Sequence, residues 1–206
     1  MYVVDRLRKA RYLPTVTIAF VMVFLSTYTI QLLLVGSLSQ NAGYQAVTMV
    51  TNALGAGSIV FSWLFHSSHT HLLGNLTIFV LTGWWVESQI GRDQFILGVA
   101  VFFGMGASVA ALILFQTPGA GISGITTGLV TMVALGNLEG VIKPDHHLIR
   151  SAIVFTLSAF YLLRSVSVIG TLPAGTAVKI HILGAVFGAV WYTAEKSQHD
   201  FSWVVS

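Results

Sequence analysis

The chain contains no cysteine. That removes disulfide frameworks, thiolate nucleophiles and cysteine-based metal sites, and it leaves the redox compartment open. Charge is almost as scarce: 8% of the 206 residues are Asp, Glu, Lys or Arg, against about 25% in an ordinary soluble domain. A surface with so little charge would not stay dissolved, and 55% of the residues are hydrophobic, so the composition is that of an integral membrane protein. The net charge of +3 rests on too few residues to form a nucleic-acid-binding patch and reads instead as a topology signal. No internal repeat and no low-complexity segment is present. No small-residue cleavage site closes the first apolar run, Pro14 to Val35, which at about 22 residues exceeds the roughly 7–15 of a signal-peptide core and reads as a retained span.

Buried membrane helices are apolar nearly all round, so length and punctuation place the elements better than periodicity does. Six spans result: Pro14–Val35, His71–Ser88, Phe95–Phe115, Ser123–Leu138, Leu148–Ile169 and Thr176–Ala194. The breaks between them, among them "GSLSQNAGY", "QTPGAG" and "GTLPAGT", are rich in turn formers. The expected fold is an all-α polytopic bundle forming one membrane domain over 1–206. It has a short basic tail (1–13), a long outer loop (36–70) with an interfacial segment around "SIVFSWLFHSS", and a second tail (195–206). Placing the first tail in the cytoplasm puts eight basic residues inside (Arg6, Arg8, Lys9, Arg11, Arg92, Lys143, Arg150 and Lys196) and two outside, Arg164 and Lys179. All of the acids (Asp5, Glu87, Asp93, Glu139, Asp145, Glu195 and Asp200) then fall inside.

Spans two, four and six each end at an acid: Glu87, Glu139 and Glu195. Counting back at about 1.5 Å per residue puts His71 and Ser123 about 24 Å from their anchors, His181 about 21 Å and Asn75 about 18 Å. Three helices thus bring two histidines and a serine to nearly one height, several ångströms below the outer surface, with the asparagine one turn deeper. Polar groups there are costly unless they pair or line a wet cavity. Taken singly, each has an ordinary explanation: Ser123 as a helix cap, His181 as a hydrogen-bonded core histidine. The "HSSHTH" run, His66, His69 and His71, suits zinc in its residue types. It lacks HExxH, however, and every carboxylate that could act as a base falls at the opposite face, so no metal is assigned and His66 and His69 read as interfacial or structural.

Glycines join two of these helices. Gly184 and Gly188 follow His181 on its own face, and Gly124 and Gly128 stand four apart after Ser123. Small residues at this spacing let helix backbones approach closely, as a Ser–His hydrogen bond of roughly 2.6–3.2 Å requires.

These residues resemble the rhomboid intramembrane serine proteases over roughly Phe65 to Ala194. "HSSHTHLLGN" supplies the family's His66, His71 and Asn75, "GISG" its nucleophile motif, "HILGAVFG" its base motif, and "VESQIG" is similar to the inner end of its second helix. The resemblance implies Ser123 as nucleophile and His181 as base. The backbone N–H of Ser123, with His71 and Asn75, would hold the oxyanion, and Gly121 would permit the loop that aims those amides. Each such donor is typically worth about 3–4 kcal/mol. With no acid near that height the pair is a dyad, and no cofactor is called for. The implied substrates are transmembrane segments of other membrane proteins, cut next to a small residue at a site opening to the extracytoplasmic side. Two features depart from the family. Thr127 stands where many members carry a Tyr that packs on the catalytic histidine, and Trp63 lacks an adjacent Arg. The rival readings are an inactive rhomboid-like protein that binds membrane clients, and a small transporter. The transporter would want ionisable groups across the bilayer, and none lies between Asn75 and the inner edge.

Overall fold

The computed structural model describes residues 13–36, 42–66, 68–115, 121–142, 148–167 and 175–198. The basic tail with Asp5, Arg6, Arg8, Lys9 and Arg11, the 116–120 connection, the loop with Lys143 and Asp145, and Asp200 lie outside the described residues, as do the side chains of Arg150 and Arg164. All regular structure among the described residues is helical. Helix α1 (Thr15–Val35) follows the expected first span and closes on Gly36, whose N–H bonds back to the Leu32 carbonyl. A short helix, α2 (Ala42–Leu54), follows, with a 3₁₀ segment (Ala56–Leu64) packed against it. Ala46, Val47 and Phe65 are buried together, while Met49, Leu54 and Phe61 are exposed.

Helix α3 (His69–Ile90) begins two residues before the expected span, because Ser68 caps it by accepting the His71 N–H at 3.2 Å. The third span, expected as a plain helix, is a rod of three pieces over 92–115, together α4: α-helical Arg92–Ile96, π-helical Leu97–Gly106 and α-helical Ala107–Phe115. The π stretch is apolar throughout, so no change of period announces it. It seats the 3₁₀ segment: a β-carbon on Gly104 would lie 2.7 Å from Trp63 Cε2, and Trp63 in turn meets Phe24 edge-on at 5.8 Å. Helices α5 (Ser123–Ile142), α6 (Leu148–Ser167) and α7 (Gly175–Gln198) complete the bundle. Two helical stretches, Thr15–Val35 and Arg92–Leu114, are each long and apolar enough to cross a membrane by themselves.

Helix α5 is the axis, buried from its start through Ala134. It packs along α7 on one side and α6 on another, with α3 on a third. An aromatic cluster ties α1, α3 and α4, with Phe24 and Phe79 edge-to-face at 5.5 Å and Phe79 tilted on Phe95 at 6.4 Å.

The C-terminal end of α3 supplies acceptors to the start of α1. Pro14 offers that helix no side-chain cap, so its first N–H groups need acceptors from elsewhere. Glu87, fully buried, accepts from Thr17 N at 2.7 Å, Thr17 Oγ1 at 2.7 Å and Val16 N at 3.2 Å, with Arg92 Nε 4.0 Å away. A carboxylate at a helix N-terminus also meets the positive end of its dipole. Replacing Glu87 by Ala leaves these donors unpaired, so Glu87→Ala should lose about 2–4 kcal/mol of stability, read as a lower thermal unfolding midpoint in detergent. Glu87→Gln, which retains an acceptor, should lose less.

Candidate active site

Helices α5 and α7 run parallel with their backbones in contact. A β-carbon on Gly184 would collide with the Gly124 carbonyl oxygen and lie 2.9 Å from its carbonyl carbon. One on Gly188 would meet Gly128 in the same way. The pairing continues to the far end, where Lys196 forms an ion pair with Glu139. Spans four and six therefore do share a direction, as the acids at their ends suggested.

Ser123 is the first residue of α5 and is 5% exposed. On the α7 side, a β-carbon on the adjoining Gly124 would lie 2.9 Å from Ile180 Cγ2 and 3.4 Å from the Ile180 carbonyl oxygen, and His181 follows Ile180 directly. Three residues before Gly184 in the same register, His181 stands level with the loop that leads into Ser123.

That loop turns at Gly121, whose φ of +97° is strained for any residue with a side chain. A β-carbon there would lie 3.6 Å from His71 Nε2, 3.5 Å from His66 Cδ2 and 3.5 Å from the Phe65 carbonyl oxygen. The loop is therefore laid directly on the first turn of α3 and the residues before it. Asn75, one turn below His71, is 8% exposed, and its Nδ2 has no hydrogen-bond partner among the described residues. A buried donor left unmade costs about 1–3 kcal/mol.

The first backbone bond of α5 runs from Thr126 N to the Ile122 carbonyl at 2.8 Å. By helix geometry the N–H groups of Ser123, Gly124 and Ile125 have no acceptor within their own helix. The Ile122 N–H is held separately, by His66 Nε2 at 3.3 Å. An accepting Nε2 is unprotonated, so neutral His66 carries its hydrogen on Nδ1. That atom faces the Leu64 carbonyl without closing a normal hydrogen bond. Burial, reinforced by His71, pushes the His66 imidazole down to about 3, which keeps it neutral.

His66 is thus fully buried, not interfacial, whereas His69 is exposed. With Nε2 of His66 occupied and His69 turned outward, the "HSSHTH" run does not present three imidazoles to one ion. Thr127 does not stand in for an aromatic ring. Its Oγ1 bonds to the Ser123 carbonyl at 2.7 Å, beside Thr126 Oγ1 at 2.9 Å. Thr126 also meets Tyr161 of α6 at 3.4 Å. The sequence reading assigned no role to Tyr161, nor to Gln31 on α1, which bonds to the His66 peptide. An amide in the middle of an apolar span was the available signal for the second.

A family model described as the Rhomboid domain matches residues 56–195, more than half of the chain. The chain belongs to the rhomboid family. Neither the curated proteins nor the solved structures yield a match. The apolar helices and the family together make this rhomboid chain an integral membrane protein.

The glycine contact gives a direct test. Gly184→Ala forces a methyl group into the backbone of α5, where neither partner can rotate away, and should destabilise by about 3 kcal/mol or more. Gly74 has nothing within 4 Å of its β-position, so Gly74→Ala should leave the unfolding midpoint unchanged or slightly raised. Thermal unfolding of both variants in detergent checks the difference.

Proposed function

We propose that this rhomboid-family chain is an intramembrane serine endopeptidase, with Ser123 as nucleophile and His181 as general base. The observation that carries the reading is the backbone contact of Gly124 with Gly184, which sets the first turn of α5 against the stretch of α7 that begins at Ile180 and His181. The unpartnered Asn75 Nδ2 supports it from the other side. A buried donor kept without an acceptor is costly in a resting protein and useful where negative charge develops in the reaction.

Neutral His181 takes the Ser123 proton as Oγ attacks the scissile carbonyl carbon. The carbonyl π electrons move to oxygen, and the oxyanion is held by the Ser123 N–H, Asn75 Nδ2 and His71. Collapse of this intermediate breaks the C–N bond, and His181 returns the proton to the leaving amine. Water then enters, gives a proton to His181 and attacks the acyl-enzyme. The same donors hold the second oxyanion, and Ser123 recovers its proton as the carboxyl product leaves. The partial positive charge at the start of α5 favours both intermediates. Gly121 permits the turn that presents the Ser123 amide.

The substrates in this reading are transmembrane segments of other membrane proteins. Scissile carbonyls inside an intact helix are already hydrogen-bonded, so segments with weak helix formers near their outer end should be preferred. The expected topology is six spans with both termini cytoplasmic and the site opening to the extracytoplasmic face, as the placement of the acids and bases in the sequence suggests.

Purified protein incubated with a single-span model substrate tests this. Ser123→Ala and His181→Ala should each lower kcat by roughly 10⁶-fold. Asn75→Ala should lower it by about 10²–10³-fold with a smaller effect on KM. Cleavage by Ser123→Ala at the wild-type rate would refute the reading.

A further inference from the structure

We infer that Gln31, on α1, is a positioning residue for the nucleophile loop, acting through His66 on the Ile122 N–H. The kinetic consequence rests on the protease reading above; the structural consequence does not. Gln31 is completely buried in a helix of otherwise mostly apolar residues, where an amide is costly unless both of its ends are used. Both are used, on the two backbone groups of one residue: Nε2 donates to the His66 carbonyl at 2.7 Å and Oε1 accepts the His66 N–H at 2.9 Å. Two bonds at a fixed separation set the position and the tilt of that residue together. Its imidazole is then held by the rings of Phe24 and Tyr28, edge-on at 6.2 and 6.5 Å, and delivers Nε2 to the Ile122 N–H.

The consequence falls on the residue next to the nucleophile. With the Ile122 N–H tied back to His66, the loop's amide direction is set before Ser123, and the Ser123 N–H is left to face the site. Gly121 rests on His66 Cδ2 and the Phe65 carbonyl, so a shift of the His66 residue moves both the turn and the amide. Helix α1 lies outside the 56–195 family match, and this clamp brings it into the site. Gln31 is not what attaches α1 to the bundle, because Glu87 caps its other end and the Phe24–Phe79–Phe95 cluster holds its middle.

The test compares full-length wild type, Gln31→Leu and Gln31→Glu in detergent. The measurements are kcat and KM on the model substrate, exchange of the Ile122 amide hydrogen, and thermal unfolding. Gln31→Leu should remain folded, exchange Ile122 faster, and lose about tenfold to a hundredfold in kcat with KM within about twofold of wild type.

Gln31→Glu supplies a readout that packing alone would not move. A protonated carboxyl carries both a donor and an acceptor and can restore both bonds, whereas the carboxylate lacks the donor. Its kcat, taken as a ratio to wild type at each pH, should therefore rise as pH falls. The titratable groups around the clamp are His66, His71 on α3 and Tyr28 on α1; all are present in both proteins and cancel in the ratio. A folded Gln31→Leu with wild-type kcat and wild-type Ile122 exchange would overturn the inference, as would a flat ratio for Gln31→Glu. If wild type cleaves nothing, the protease reading fails, and the Ile122 exchange rates alone decide whether Gln31 positions the loop.

Discussion

The contact between the α5 and α7 backbones is what the candidate site depends on. Within a bilayer no hydrophobic force draws two apolar helices together, so they associate where their surfaces fit closely and where polar groups meet. Gly124 with Gly184 and Gly128 with Gly188 bring the two backbones together, with the Ile180 and Phe103 side chains packed beside the crossing. Any larger residue at Gly184 or Gly188 would force the two backbones apart. Glycine's cost in helix propensity, roughly 1 kcal/mol per position, is offset by the geometry it allows. The Glu139–Lys196 ion pair fixes the same register at the other end of the two helices.

Around this axis, several buried polar groups close their hydrogen bonds on backbone groups remote in sequence. Glu87 is saturated by the start of α1, and Gln31 by both polar ends of the His66 residue. The Ser123 carbonyl collects two threonine hydroxyls. By contrast, Asn75 Nδ2 is unpaired among the described residues, and helix geometry leaves the amides of the first turn of α5 without intrahelical partners. Donors left without an acceptor in this way suit the stabilisation of a charge that exists only transiently.

Much of this was legible in the sequence because membrane helices are long and their ends carry acids. Counting from Glu87, Glu139 and Glu195 brought His71, Ser123 and His181 to one height, and the small-residue spacing after Ser123 and His181 named the helices that touch. What could not be read has physical reasons. The π-helical stretch of α4 lies in a segment that is apolar on every face, so its wider turn leaves no periodic trace. His66 shares a run with an exposed His69, and only the fold separates a buried acceptor for Ile122 from a surface imidazole. Glu87 marked a helix end in the sequence, whereas Gln31 carried no assigned role. Their partners, the two backbone groups of His66 and a helix start remote in sequence, carry no sequence signature.

The central claim is that Ser123 is activated by His181 across the glycine crossing. Its most direct measurement is peptide mapping by mass spectrometry after the purified protein reacts with a fluorophosphonate, which labels a serine only when a base makes its hydroxyl nucleophilic. The account predicts a single adduct, on Ser123, that is lost when His181 is replaced by Ala. Labelling of a different serine, no labelling of the folded protein, or labelling of Ser123 at an undiminished rate without His181 would contradict it.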